Sequence, residues 1–231
     1  MKSFLMLGQS NMAGRGKIGE VPPINNPLCF MLRNGRWQPM GEPVNPDRAW
    51  STYDGISLAP SFADEYAKHF GEEVGLIPCA DGGTSITQWQ PGEVMYDNTI
   101  AQAKLAQRTS EIVGILWHQG ENDCYNDDMA IPYHDLFINV YKNLYKDLNL
   151  PSDTPFLLGE LGDFCVFHDN GALKSLEKVK DTHKKLCEEI PNVHFVSSKG
   201  LTSKEDNVHF NARSQKEFGK RYFEVYLKNC K

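Results

Sequence analysis

The sequence predicts an α/β domain built on a mainly parallel sheet, and three observations carry that expectation. Short apolar runs with β-branched or aromatic content alternate with longer amphipathic stretches, as in successive βαβ units. No repeat, linker or low-complexity segment interrupts this alternation, and 231 residues are enough for one domain, 1–231, with a substantial core. Several apolar runs also end in clusters of Ser, Gly, Gln, Asp and His, where open α/β sheets place their ligands.

Taken in order, Ser3–Leu7 is the first strand, and it stops at Gly8-Gln9-Ser10. A glycine there allows a tight turn without a Cβ clash, so Ser10 is delivered with little positional freedom. A serine after a strand is also a common helix cap or turn residue, and only its distant partners can decide between cap and nucleophile. Leu28–Leu32 is a second strand or hairpin piece following the Val21-Pro22-Pro23 loop. The stretch from Gly35 to Gly55, rich in Pro, Trp and Tyr, reads as a long irregular rim or lid over a substrate.

Ser57–Phe70 carries Leu58, Phe62, Tyr66 and Phe70 at intervals of four, a helical face turned to the sheet. Val74–Ala80 is a strand running into Asp81-Gly82-Gly83-Thr84-Ser85. Thr99–Arg108 is a short helix, and Ile112–Trp117 a strand running into His118-Gln119-Gly120-Glu121. Met129–Leu148 is a longer helix and Pro155–Leu161 a strand. Leu173–Glu189 is a charged amphipathic helix, Val193–Val196 the last strand, and Asn211–Lys228 a final helix with Phe218, Tyr222 and Val225 inward.

Composition excludes several function classes. A net charge of −6, without a block of like charge, is wrong for a nucleic-acid surface. No apolar run approaches the roughly 20 residues of a membrane span. Six scattered cysteines, with no Cys-x-x-Cys or His-Glu-x-x-His, point to reduced thiols and to no metal. The short apolar start lacks the organisation of a secretory leader, which places the protein in the cytoplasm, or outside the cell if a leader has been removed. Gly14-Arg15-Gly16-Lys17-Ile18-Gly19 fits Gly-x-Gly-x-x-Gly but lies too far beyond the strand for a dinucleotide fingerprint, with Pro22-Pro23 soon after, so no cofactor is expected.

Acyl transfer from an ester requires a nucleophile, a base oriented by a carboxylate, and donors aimed at the oxyanion. Ser10 offers the first. Asp206-Asn207-Val208-His209 offers the pair, since a carboxylate three residues away can hold Nδ1–H of His209 and leave Nε2 to take the serine proton. Gly83 offers a backbone N–H that can approach closely, and Gln119 a side-chain amide. Trp50, Tyr53 and Trp89 are candidates for a substrate rim as well as for anchoring aromatics, and Arg15, Arg33 or Arg48 for pairing with a substrate carboxylate.

Together, Gly8-Gln9-Ser10-Asn11-Met12, Gly82-Gly83-Thr84-Ser85-x-x-x-Trp89, Trp117-His118-Gln119-Gly120-Glu121 and Asp206-x-x-His209-Phe210 resemble the ordered blocks of SGNH hydrolases. Within that superfamily they resemble the carbohydrate O-acetylesterase branch, with its sialate O-acetylesterases and acetylxylan esterases of carbohydrate esterase family 6. The resemblance implies a flavodoxin-like three-layer α/β/α sandwich with a five-stranded parallel sheet, and a metal-independent serine esterase acting on an acetylated sugar or oligosaccharide. It implies Ser10 as nucleophile, His209 as base and Asp206 as its carboxylate, with Ser10, Gly83 and Gln119 forming the oxyanion hole. Here the branch departs from the wider superfamily, where an asparagine in a Gly-x-Asn-Asp block does that job, and the longer Gln119 must approach from a slightly different backbone position. Glu121 either holds the Gln119 loop or is an alternative carboxylate for His209; the short loop favours Asp206. A non-catalytic sugar-binding module on the same fold and a broader lipase or thioesterase are the alternatives. The motifs do not fix the sugar or the oligomeric state.

Overall fold

A computed structural model describes residues 1–45, 47 and 55–229. The chain begins with β1 (Lys2–Gly8), in which Phe4, Leu5, Met6 and Leu7 have no exposed surface. An apolar run buried on both faces belongs at the centre of a parallel sheet. There β1 pairs in parallel with β4 (Val74–Pro78) on one side and β5 (Glu111–His118) on the other. Beyond β4 lie β2 (Cys29–Arg33) and β3 (Arg36–Pro39); beyond β5 lie β6 (Phe156–Gly159) and β7 (Val193–Val196). The order is β3-β2-β4-β1-β5-β6-β7, with only the β2–β3 pair antiparallel among the described residues.

All six predicted strands are present. The five strands implied by resemblance become seven, because β2 and β3 extend one edge as a hairpin. Their turn is Asn34-Gly35, both residues at positive φ (52° and 75°), the backbone that two-residue hairpin turns favour. Part of the stretch expected to be irregular from Gly35 is therefore strand.

Helices cover both faces, and the period of two along β1 divides the core between them. Leu5 and Leu7 pack with Ile77, Ile115, Trp117, Phe156 and Leu158 under α3 (Val94–Ala106), α5 (Tyr133–Asp147) and α6 (Leu176–Glu189). Phe4 and Met6 pack on the opposite face with Leu76, Leu116 and Leu157 under α2 (Ala59–Phe70) and α7 (Ala212–Asn229). A one-turn helix, α1 (Ser10–Ala13), follows β1, and another, α4 (Asp127–Ala130), precedes α5.

The third helix begins at Val94 where Thr99 was expected and the sixth at Leu176 where Leu173 was expected, and two further differences have local reasons. The predicted Met129–Leu148 helix is split into α4 and α5 at Ile131-Pro132, because proline has no N–H to continue the ladder. Phe70, expected on the buried face of α2, is 42% exposed, since the helix ends there at Gly71 in the left-handed region. Phe218 and Tyr222 are buried as expected, and Val225 is half-buried. Cys29, Cys79, Cys124, Cys165 and Cys187 are free thiols. No helix among the described residues is long and apolar enough to cross a membrane.

Candidate active site

Four loops converge at the carboxyl edge of the sheet, following β1, β4, β5 and β7. At Gly8 (φ +133°) the chain leaves β1 so close to β5 that a Cβ would sit 2.0 Å from the His118 carbonyl oxygen. That contact excludes every other residue and starts α1 on Ser10. Ser10 is 6% exposed, and neither its N–H nor that of Gly83 donates to another group among the described residues.

The loop after β7 supplies the candidate base. Asp206 Oδ1 accepts from the backbone N–H groups of Val208 (3.0 Å) and His209 (2.9 Å), closing a tight turn with Asn207 at φ 53°. The same carboxylate uses Oδ2 to accept from Nδ1 of His209 at 2.8 Å. Nε2 of His209 then lies 2.9 Å from Ser10 Oγ, across 199 positions of sequence. Burial alone would raise the pKa of Asp206, but the bonds from the His209 ring and the two backbone N–H groups outweigh it and hold the carboxyl well below its ordinary value. His168 Nδ1 donates to the Asp206 carbonyl oxygen at 2.8 Å, bracing the loop from the 163–170 segment.

Asn11 joins this loop to Ser10. Its Nδ2 donates to Glu121 Oε1 (2.5 Å) and to the Val208 carbonyl (3.0 Å), while Oδ1 accepts from Phe210 N–H (3.0 Å). Both neighbours of His209 are thereby tied to the residue after Ser10. Glu121 meets Asn11 and, at 3.0 Å, Nε2 of His118; the carboxylate bonded to His209 is Asp206. Burial pushes the Glu121 pKa up, but His118 and Asn11 together hold it below the usual range.

Gln119 and Trp89 stand elsewhere than expected. Gln119 has no exposed surface, and its amide nitrogen is occupied by Thr84 O (3.0 Å), Gln9 Oε1 (3.2 Å) and Asp123 Oδ2, while Tyr133 Oη donates to its Oε1. Asp123, four residues on and buried, draws the amide inward, away from the serine; burial pushes its own pKa up to about 6. Trp89 is 1% exposed, set edge-on against Trp117 with Nε1 donating to Thr84 Oγ1, so it anchors the Gly83 loop and forms no rim. Trp50, Tyr53 and Arg48 lie outside the described residues. Arg15 is engaged in a bidentate pair with Asp47, and Arg33 donates to the Pro43 carbonyl.

The serine opens on a cavity of about 270 Å³ lined by Gln9, Ser10, Gly83, Asn122, Tyr125 and His209, among others. Of these, Gln9, Asn122 and Tyr125 had not been singled out from sequence, although Gly120-Glu121-Asn122-Asp123 has the Gly-x-Asn-Asp form that carries an oxyanion amide in the wider superfamily. Gln9, like Asn11, sits inside the motif around Ser10, so its position was visible although the direction of its side chain was not.

Known proteins share this arrangement of chain. A probable carbohydrate esterase of Arabidopsis thaliana is 30% identical over 245 residues, covering 98% of this chain and 90% of that protein. The crystal structure of that same Arabidopsis protein superposes with a TM-score of 0.85 at 28% identity, covering 99% of this chain and 98% of the other. NanS superposes with a TM-score of 0.78 at 15% identity over 98% and 96% of the two chains. A carbohydrate acetylesterase of Xanthomonas citri gives 0.72 at 18%, over 98% of this chain and 56% of its own; at such identities these two show the fold alone. The family of carbohydrate esterases described as sialic acid-specific acetylesterases matches residues 1–228, and the chain belongs to that family.

Proposed function

We propose that the protein hydrolyses acetyl esters of carbohydrate hydroxyls through an acetyl-enzyme on Ser10. The observation that carries this reading is the continuous relay from Ser10 Oγ to His209 Nε2 at 2.9 Å and from His209 Nδ1 to Asp206 Oδ2 at 2.8 Å. Ser10 Oγ attacks the acetyl carbonyl carbon as its proton passes to Nε2, and the ionised Asp206 stabilises the imidazolium that forms. Negative charge gathers on the carbonyl oxygen, towards which the N–H groups of Ser10 and Gly83 are free to donate. The tetrahedral intermediate collapses, the C–O bond to the sugar breaks, and the leaving alkoxide takes the proton from His209. A water activated by the same imidazole then releases acetate and restores Ser10.

Family membership supports an acetyl ester as the bond broken and a carbohydrate as the alcohol. The experiment is acetate release from acetylated xylan, O-acetyl sialic acid and 4-nitrophenyl acetate, with a series of longer 4-nitrophenyl esters. Acetyl esters should be turned over fastest, and Ser10→Ala should lower kcat by roughly 10⁴-fold or more. Undiminished hydrolysis by Ser10→Ala refutes the serine mechanism, and preference for long acyl chains refutes the acetylesterase.

A further inference from the structure

We infer that His168 accepts a hydrogen bond from a free hydroxyl of the acetylated sugar, with Tyr125 as the aromatic face of the same subsite; this rests on the esterase reading above. Ser10, His209 and Asp206 act on the acetyl carbonyl and the ester oxygen, so recognition of the rest of the alcohol falls to other walls of the cavity. Two residues lining it come from loops on different strands: Tyr125, after β5, is 39% exposed, and His168, after β6, is half-buried.

The chain fixes His168 from two sides. A tight helical run that starts at Asp163 leaves helical geometry at His168 (φ −62°, ψ 129°) and turns back through Asp169, Asn170 and Gly171 at φ 44°, 56° and 82°. The His168 carbonyl accepts from the N–H groups of Gly171 (2.9 Å) and Ala172 (3.1 Å), which closes that turn. On the ring, Nδ1 donates to the Asp206 carbonyl oxygen at 2.8 Å. A carbonyl oxygen only accepts, so Nδ1 carries the proton and Nε2 of the neutral ring keeps its lone pair. Nε2 has no partner among the described residues and is not sealed from solvent, and His168 lines the cavity beside Ser10 and His209. A held lone pair without a protein donor is matched by an O–H group. A partly acetylated sugar carries free hydroxyls close to its ester, whereas the alcohol of a simple ester carries none. Tyr125 likewise makes no hydrogen bond among the described residues, and its ring offers an apolar face to the C–H side of a pyranose.

The test separates this contact from the brace on Asp206. In His168→Asn the amide nitrogen takes the place of Nδ1 and keeps a donor for the Asp206 carbonyl, while the atom at Nε2 is gone. The probes are whichever of a monoacetylated methyl xylopyranoside and a mono-O-acetyl sialic acid the wild type hydrolyses faster, the analogues of that sugar lacking one free hydroxyl each, and ethyl acetate, which has neither ring nor hydroxyl. In the wild type, removal of one particular hydroxyl should lower kcat/KM roughly tenfold, the worth of one neutral hydrogen bond. In His168→Asn the same removal should change kcat/KM by less than about twofold, and the ratio of kcat/KM for the sugar ester to that for ethyl acetate should fall roughly tenfold. Tyr125→Ala should lower that ratio on the same scale, and Tyr125→Phe should restore it. A purely structural His168 would lower both substrates together and leave the effect of the hydroxyl in place, which overturns the inference. So does a wild type that loses less than about twofold with every deoxy analogue, or that hydrolyses ethyl acetate as fast as the sugar ester. Failure of the esterase reading would look different: the wild type would release acetate from none of these esters, and the inference would fall with it.

Discussion

Replacing Asn11 by alanine should damage stability and catalysis together. The side chain makes three bonds, to Glu121 Oε1, the Val208 carbonyl and the Phe210 N–H, and Asn11 itself has no exposed surface. A buried polar group left unpaired costs about 1–3 kcal/mol, and Asn11→Ala strands three of them. Glu121 keeps its contact with His118, so its share lies at the low end, and the total is about 3–5 kcal/mol. Catalysis suffers separately, because Val208 and Phe210 flank His209 and their loss of anchorage frees the imidazole from its 2.9 Å contact with Ser10. A misplacement of about 1 Å is worth on the order of 10²-fold in rate. Urea unfolding and kcat/KM for 4-nitrophenyl acetate measure the two effects. Asn11→Asp sharpens the test. It keeps an acceptor for Phe210 but sets a second carboxylate against Glu121, so the variant should be less active than Asn11→Ala at pH 8 and recover as acid lets the pair share a proton. A folded Asn11→Ala with a stability loss under 1 kcal/mol and unchanged kcat/KM would refute the idea that this side chain holds the base in place.

His183 is fully buried against Tyr133 with neither ring nitrogen bonded, and burial foremost depresses its pKa to about 3. A base whose folded pKa lies below its unfolded value of about 6.5 stabilises fully above that pH and loses its contribution as pH falls towards 3. Between pH 8 and pH 5 this amounts to about 2 kcal/mol of lost stability, which His183→Leu should remove; parallel wild-type and variant curves of unfolding free energy against pH would contradict it. Gly8→Ala would put a methyl carbon 2.0 Å from the His118 carbonyl oxygen at a φ of +133°. Strained backbone of this kind alone costs about 1–3 kcal/mol, and the clash parts β1 from β5 beneath Ser10, so soluble yield, Tm and activity should all collapse. A variant with wild-type Tm would show that the edge is more yielding than its packing implies.

What was legible in the sequence divides along a physical line. The six parallel strands were readable because each is a short apolar run, and three of them, β1, β4 and β6, are buried on both faces; the Ser10, Asp206 and His209 candidates were readable because a serine at a strand end and a carboxylate three residues before a histidine are distinctive residue types, which the geometry brings together. The hairpin strand Arg36–Pro39 was passed over although Asn34-Gly35 announced its turn, since an edge strand with exposed Arg36 and Pro39 carries no apolar alternation. Side-chain direction was the harder matter. Gln9 and Gln119 are both amides next to strand ends, and nothing in their neighbours' identities says which of them lines the cavity and which is buried. That is decided by where acceptors and donors are buried: Asp123 and Thr84 hold the Gln119 nitrogen inside the loop, and the N–H groups of Gly120 and Asn122 hold the Gln9 oxygen against it. Trp89 follows the same rule, held inward by Thr84 and the Trp117 ring, although a tryptophan after a glycine loop reads as a sugar platform. In each case a buried partner several residues away, or in another strand's loop, outweighs what the motif itself suggests. The motif locates the backbone of the site, and the polar atoms buried beneath it decide which side chains reach the substrate.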